Sequence, residues 1–222
     1  MINKNSRLHL GCATTYYPDY VNIDFAEDSV ADLICDARNL PYRANSVAKI
    51  VAHHLIEHFD YVNCKYLLSE WFRVLKPKGR LFLETPDLTK SVKKFSSGDI
   101  NTKITSLNWI FGIDQEGLQH KTGFSVKLLR HLLTEIGFDD IRAKKSRTHQ
   151  YEPGIRIECS KSQSYLKSQI LAIIQIRVRN ELPILETSHL TYLDSEIFNK
   201  LPLLKLDRND TTNKDKIYRF IA

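Results

Sequence analysis

The chain has little of what several common classes of protein require. Its four cysteines, at positions 12, 35, 64 and 159, include no C-x-x-C pair, so neither a zinc knuckle nor a dithiol redox centre is encoded, and reduced thiols are the plain expectation. Glycine is scarce, with eight in 222 residues, and none falls in the G-x-G-x-x-G spacing that would cradle a pyrophosphate. The longest strongly apolar run, Ile170 to Ile176, is too short to span a bilayer. The opening residues MINKNSRLHLG turn polar at once and lack an apolar signal core, so secretion is not expected and a cytoplasmic location is. No zinc-finger, RNP or KH pattern accompanies the net charge of +6, which argues against a dedicated nucleic-acid module. The lysines and arginines cluster at 76–80, 90–94 and 142–147, as a solvated basic surface or an attraction for an anionic substrate.

What is present is an alternation of short apolar runs and helical patterns as far as about residue 160. Strands are expected at Arg7–Leu10, Tyr20–Asp24, Asp32–Cys35, Val47–Ala52, Arg80–Thr85, Phe138–Ala143 and Ile155–Ser160. Such alternation indicates an α/β fold: a doubly wound, mostly parallel sheet with helices on both faces. Leu67, Leu68, Trp71, Phe72 and Leu75 recur at helical spacing and predict a helix from Tyr61 to Lys76, capped by Asp60 and ended by Pro77 and Gly79. A second helix is predicted over Val126–Ile136, with Ser125 as its cap, Phe124 stapled onto Leu129 and Gly137 at its end. Residues 1–160 thus form one domain. Residues 161–222 form an extension with a helix over 164–179 and then an irregular arm, a surface through which copies of the chain could associate.

The chemistry is concentrated at strand ends. Leu8-His9-Leu10-Gly11-Cys12-Ala13 runs a strand into a glycine turn, and Val21-Asn22-Ile23-Asp24 ends the next strand in an acid. Open α/β sheets bind ligands beyond the carboxyl ends of their strands, and a glycine lets the backbone approach closely. Asp24 is placed to accept from two ribose hydroxyls. A dinucleotide would need a glycine-rich phosphate turn and a longer first crossover, so a nucleoside without phosphates fits better, and S-adenosyl-L-methionine is one. Asp36, after the third strand in Cys35-Asp36-Ala37-Arg38-Asn39-Leu40, can accept from an adenine amino group.

These stretches, together with NSVAKIVAHHLIEHF, EWFRVLKPKGRLFLETPDL and QHKTGFSVKLLRHLLTEIGF, resemble the class I S-adenosylmethionine-dependent methyltransferases, specifically the small type 11 group, from residue 7 to about 138. The resemblance implies a seven-stranded sheet whose last strand is antiparallel. It puts Gly11, with Cys12 and Ala13 in the same turn, near the methionine moiety, and Asp24 at the ribose. Asp36 and the main chain of Ala37 come to the adenine, Leu40 to the pocket wall and His53 near the sulfonium. It also shows departures: Ala13 stands where the family usually has glycine, His9 where an acid or Asn is frequent, and Ala48 where an acid is usual.

Methyl transfer to a hydroxyl benefits from a general base. The candidates are His54 after the fourth strand, His120 in the Gln119–Gly123 loop and Asp87 after the fifth strand. His54-Leu55-Ile56-Glu57-His58 also matches H-x-x-E-H, an inverted zinc-protease pattern. The first histidine abuts a buried strand, so no metal is expected. The expected function is methylation of a small-molecule or glycan acceptor, and the competing one is a non-catalytic binding module that keeps the fold.

Overall fold

The computed structural model describes residues 6–114, 117–147 and 153–162. Seven strands form one sheet: β1 (Ser6–Leu10), β2 (Val21–Asp24), β3 (Leu33–Ile34), β4 (Val47–His53), β5 (Leu75–Pro86), β6 (Phe138–Lys144) and β7 (Gly154–Lys161). Their spatial order is β3-β2-β1-β4-β5-β7-β6. β7 runs antiparallel to both of its neighbours, β5 and β6, and the other pairings are parallel. Every expected strand is present within a few residues, except that β5 begins five residues earlier than expected. The helix expected over 164–179 and the rest of the arm lie outside the described residues.

The sheet has two chemically distinct faces. Leu8, Ile50, Leu81 and Cys159 form one row across it, and Leu10, Ala52, Leu83 and Ile157 the next. All eight are buried in the main core. Helices α1 (Tyr61–Val74) and α4 (Val126–Ile136) complete that core with Leu67, Leu68, Trp71 and Phe72, and with Leu129, Leu132, Leu133 and Ile136. Each such side chain contributes roughly 1.5–3 kcal/mol on burial. Asp60 caps α1 by accepting from the amide of Asn63, and Ser125 caps α4 through that of Leu128. Gly137 ends α4 in the left-handed region, at φ 114°. Helix α1 stops at Val74 rather than Lys76, because the chain becomes extended at Leu75 and turns at Lys78 (φ 63°) after Pro77. The β4–β5 register shifts across that turn, from Val47 opposite Leu75 to Lys49 opposite Arg80.

The opposite face carries His9, Val51, Phe82 and Glu158 in one row, with Lys49, His53, Arg80 and Arg156 in flanking rows. Lys49 Nζ lies 4.3 Å from the centre of the Phe82 ring, and Arg80 pairs with Glu158 at 3.3 Å. The connections β1–β2, β2–β3 and β3–β4 contain no helix, because residues 11–20, 25–32 and 35–46 are too few to make one and still return. An aromatic loop takes the place of the first helix: Tyr17 stacks on His9 at 4.1 Å and is itself edged by Tyr20. Asn22, fully buried, ties this loop down. Its carbonyl oxygen accepts from the Tyr17 amide and from His9 Nδ1, and its amide nitrogen donates to the carbonyls of Tyr17 and Tyr20 and to Asp32.

Two further helices, α2 (Leu88–Ser97) and α3 (Ile100–Phe111), were not apparent from the sequence. They form a hairpin beyond the carboxyl end of β5, capped by Asp87 and Asp99.

Candidate active site

The site is built where β1, β2, β4 and β5 end. Gly11 takes φ 68°, and its amide donates to the Ile23 carbonyl, so the turn after β1 is pinned to β2. A Cβ at Gly11 would come within 3.0 Å of Leu55, which follows His54, so glycine is required both for the left-handed backbone and for the close passage of the β4 loop. Buried Cys12 donates to the same carbonyl, at 3.3 Å. Ala13 is itself left-handed, at φ 44°, which explains why glycine is the usual residue there.

Asp24 is half-buried at the end of β2. One carboxylate oxygen accepts from the Ala13 amide at 2.7 Å and the other from the Ala26 amide at 3.0 Å. Both oxygens are thereby oriented, and each retains a second acceptor position. Ile34 sits opposite Asp24 in the β2–β3 ladder, and Phe25 follows it with its ring exposed. This acid flanked by apolar side chains suits a ribose with a flat base. The sequence reading named Asp24 but missed Phe25 and Ile34.

Asp36 is engaged more heavily than the sequence suggests. Arg38 grips it through Nε and Nη2 as well as its backbone amide. Partial burial alone would raise the Asp36 pKa, but the Arg38 hydrogen bonds outweigh it and hold the carboxyl below its usual range. Ala37 is buried, and its carbonyl accepts from Trp71 Nε1 at 3.0 Å. Leu40 lies in the hydrophobic core, with its amide donating to Glu70, and supports this loop from beneath. His53 ends β4 near Tyr17, and burial pushes its pKa down to about 4.

The second half of the site centres on Glu57 in the short 3₁₀ turn Ile56–His58. Its carboxylate, 1 % exposed, accepts from Thr85 Oγ1 at 3.0 Å and holds His54 Nδ1 at 3.0 Å. Burial would raise the Glu57 pKa, but its hydrogen bond and proximity to His54 keep it lowered. The Glu57 carbonyl accepts from the amides of Lys121 and Thr122, which brings the 117–123 loop onto the turn. His58 Nδ1 lies 3.1 Å from the Gln119 carbonyl and His120 Nδ1 3.2 Å from that of Trp109, so each of these rings donates from Nδ1. Burial lowers the pKa of His120. His54, a non-glycine residue at φ 51°, shares with His58 and His120 the wall of a pocket of 460 Å³, together with Trp109, Ile113 and Leu118. Left-handed backbone at a non-glycine residue costs energy and persists where the surroundings impose it, often at functional sites.

The structure therefore brings His54 and His120 into one cavity. Asp87 is placed differently: it is buried, caps α2 through the Lys90 amide and pairs with Lys90 Nζ at 3.1 Å. Glu57, His58 and His120 present ligand atoms within 4.8 Å of one another. Both Glu57 oxygens, however, already hold His54 and Thr85, so the donor set is poorly prepared for an ion. The sequence reading met Glu57 only within the H-x-x-E-H pattern and gave it no catalytic role. Its spacing of three residues from His54 was the available signal.

The strand order and the antiparallel β7 match the class I methyltransferase fold. Residues 8–83 match the family model described as a methyltransferase domain, which supports a class I S-adenosylmethionine-dependent methyltransferase. It is 27 % identical over 128 residues to the ubiquinone/menaquinone biosynthesis C-methyltransferase UbiE of Desulfotalea psychrophila, a match that spans 54 % of this chain and about half (51 %) of that relative. In fold it resembles an S-adenosylmethionine-dependent methyltransferase of Methanosarcina mazei, with TM-score 0.52 and 18 % identity over 73 % of this chain and 95 % of the other. It also resembles a methyltransferase of Haloferax volcanii solved with the Trm112 activator, with TM-score 0.52 and 12 % identity over 75 % and 86 %.

Proposed function

We propose that the protein transfers a methyl group from S-adenosylmethionine to a hydroxyl of a small-molecule or glycan acceptor, with His54 as the general base. The observation that carries this reading is the His54–Glu57 pair at 3.0 Å, buried on the carboxylate side and facing the pocket on the imidazole side. A carboxylate at Nδ1 fixes the ring and its tautomer and favours the imidazolium that forms when a proton arrives.

Gly11, Cys12, Ala13 and Asp24 would hold the cofactor's methionine and ribose parts, and Phe25 and Ile34 would flank its base. When bound, it supplies a methyl group already activated by the positive sulfur. The chain's own task is then chiefly positioning. The pocket lined by Trp109, Ile113 and Leu118 holds the acceptor. His54 Nε2 would take the proton from the acceptor hydroxyl, and the bound cofactor would supply the methyl group. Glu57 is a positioning residue, and His120 orients the acceptor from the facing loop.

Two measurements test this. Asp24→Ala should weaken cofactor binding roughly tenfold or more, since a hydrogen bond to a charged group contributes about 1.5–3 kcal/mol. Unchanged affinity in a folded variant would remove Asp24 from the site. His54→Ala should bind cofactor normally and lose about 10²–10⁴-fold in turnover. Glu57→Gln, which keeps shape and one acceptor, should lose less turnover and alter its pH profile. Near-wild-type turnover in His54→Ala would leave positioning alone as the mechanism, and failure of wild-type protein to bind S-adenosylmethionine would favour a non-catalytic module.

A further inference from the structure

The sheet face opposite the main core collects positive charge near the amino ends of its parallel strands. Arg7 of β1, Lys49 of β4 and Arg80 of β5 are register neighbours across three adjacent strands. Neighbouring strands lie about 4.8 Å apart, and like charges at that spacing destabilise one another. Lys49, Arg80 and Arg156 also surround one ring, that of Phe82, at 4.3, 4.8 and 6.0 Å from its centre. On β1, β4, β5 and β7 this face holds two carboxylates, Glu84 and Glu158. Glu84 pairs with Arg156, and Glu158 with Arg156 and Arg80. Arg7 and Lys49 make no ion pair among the described residues. The face also wants a cover. Helices α1 and α4 serve the main core, and α2 and α3 lie beyond β5, so among the described residues no helix covers β4 and β5 on this side. Parallel strands are ordinarily covered on both faces.

The chain carries an acidic stretch within reach. The cation row continues at Ser160 of β7, opposite Arg80, and then at Asp139 of the edge strand β6. β7 ends at Lys161, so residues 163–222 leave from beside that row. Between Arg179 and Lys200 they include four acids, Glu181, Glu186, Asp194 and Glu196, and no lysine or arginine. The rest of residues 163–222 holds nine lysines and arginines and three acids, so this stretch alone complements the row. From Ser160 to Arg7 is three strand spacings, about 14 Å. Residues 163–179 reach about 25 Å even if wholly helical. Such a tether holds the acids at an effective concentration on the order of millimolar, which favours them over a separate anion.

We propose that residues 180–199 dock on the Arg7–Lys49–Arg80 row and cover the side of the sheet that the short crossovers leave without a helix. The end of the chain then supplies the missing second layer and neutralises a charge row that the sheet alone leaves in excess.

The test treats the full chain with a water-soluble carbodiimide, which joins an amine to a carboxylate in contact with it, and maps the links in the monomer fraction by mass spectrometry. A link from Lys49 to Glu181, Glu186, Asp194 or Glu196 is expected. Chymotryptic cleavage after Tyr192, inside the docked stretch, gives a second reading. Glu181→Gln with Glu186→Gln should speed it by about fivefold or more, and raised salt should speed it in wild-type protein. Both substitutions lie outside the sheet, and an unchanged thermal unfolding midpoint shows that the domain is intact. Absence of a link from Lys49 to this stretch overturns the proposal. So do links that join two chains only, which would make the row an interface between copies. Cleavage that neither the double variant nor salt alters overturns it as well. None of these readings depends on methyl transfer, so failure here is distinct from failure of the catalytic reading.

Discussion

Histidines carry opposite duties in this molecule according to what surrounds them. His9 and His53 lie on the aromatic side of the sheet, and burial lowers both their pKa values, that of His53 to about 4. Their unfolded counterparts titrate near 6.5. Between those values the unfolded chain binds more protons than the folded one, so stability falls as pH drops from about 6.5 towards 4 and is fully present above. Denaturant unfolding followed over that range should show this decline, and His53→Gln should flatten it. An unchanged slope would mean that His53 does not sit in its neutral form. His54, next in sequence, faces the pocket with a carboxylate behind it. The sequence reading put His53 near the sulfonium and His54 among the candidate bases, but not the left-handed turn at His54 that separates the two rings.

Elements were legible where burial and periodicity coincide. Helix α4 matched its expected bounds because cap, staple, apolar face and glycine stop all agree. Helices α2 and α3 were invisible for the converse reason: their fully buried residues are Ser91 and Ser106, so the strongest hydrophobic spacing, Ile100, Ile104, Leu107 and Phe111, marks an exposed side. The end of α1 also meets a long-range partner that the sequence reading did not include. Lys161 of β7 is buried beneath the last turn, where its ammonium donates to the carbonyls of Phe72 and Leu75 and to Asn45. These are acceptors that a terminating helix leaves open. Lys161→Met should therefore destabilise the fold by about 2–4 kcal/mol, since each buried acceptor left without a donor costs about 1–3 kcal/mol. A midpoint shift without a change of denaturant slope would be the signature, and wild-type stability would show that the backbone carbonyls find other donors.

At the scale of the whole molecule, the strand alternation was enough to indicate the sheet, and the sequence reading put a candidate nucleoside site at Asp24 and Asp36. The second half of the candidate site was less legible because it is assembled from segments far apart in sequence. Residues 54–58 meet 119–122 through the Glu57 carbonyl and through His58 on the Gln119 carbonyl, and nothing local in either segment announces the other. The short first crossover was visible as a length, whereas the buried Asn22 that makes it workable was not.

The Glu57 carbonyl has a consequence for how the molecule breathes. The amides of Lys121 and Thr122 sit in a loop with no regular structure, yet both donate to Glu57, whose side chain is sealed between β4 and β5. They can exchange with deuterium only when the turn at 56–58 lifts from the strands, so they should be protected like strand amides while Gly117 and Leu118 exchange freely. Peptide-resolved exchange would show a slow island within a fast segment. Glu57→Gln should speed that island along with the end of β4, and exchange of Lys121 at the rate of an open coil in wild-type protein would show that the two halves of the site move apart independently.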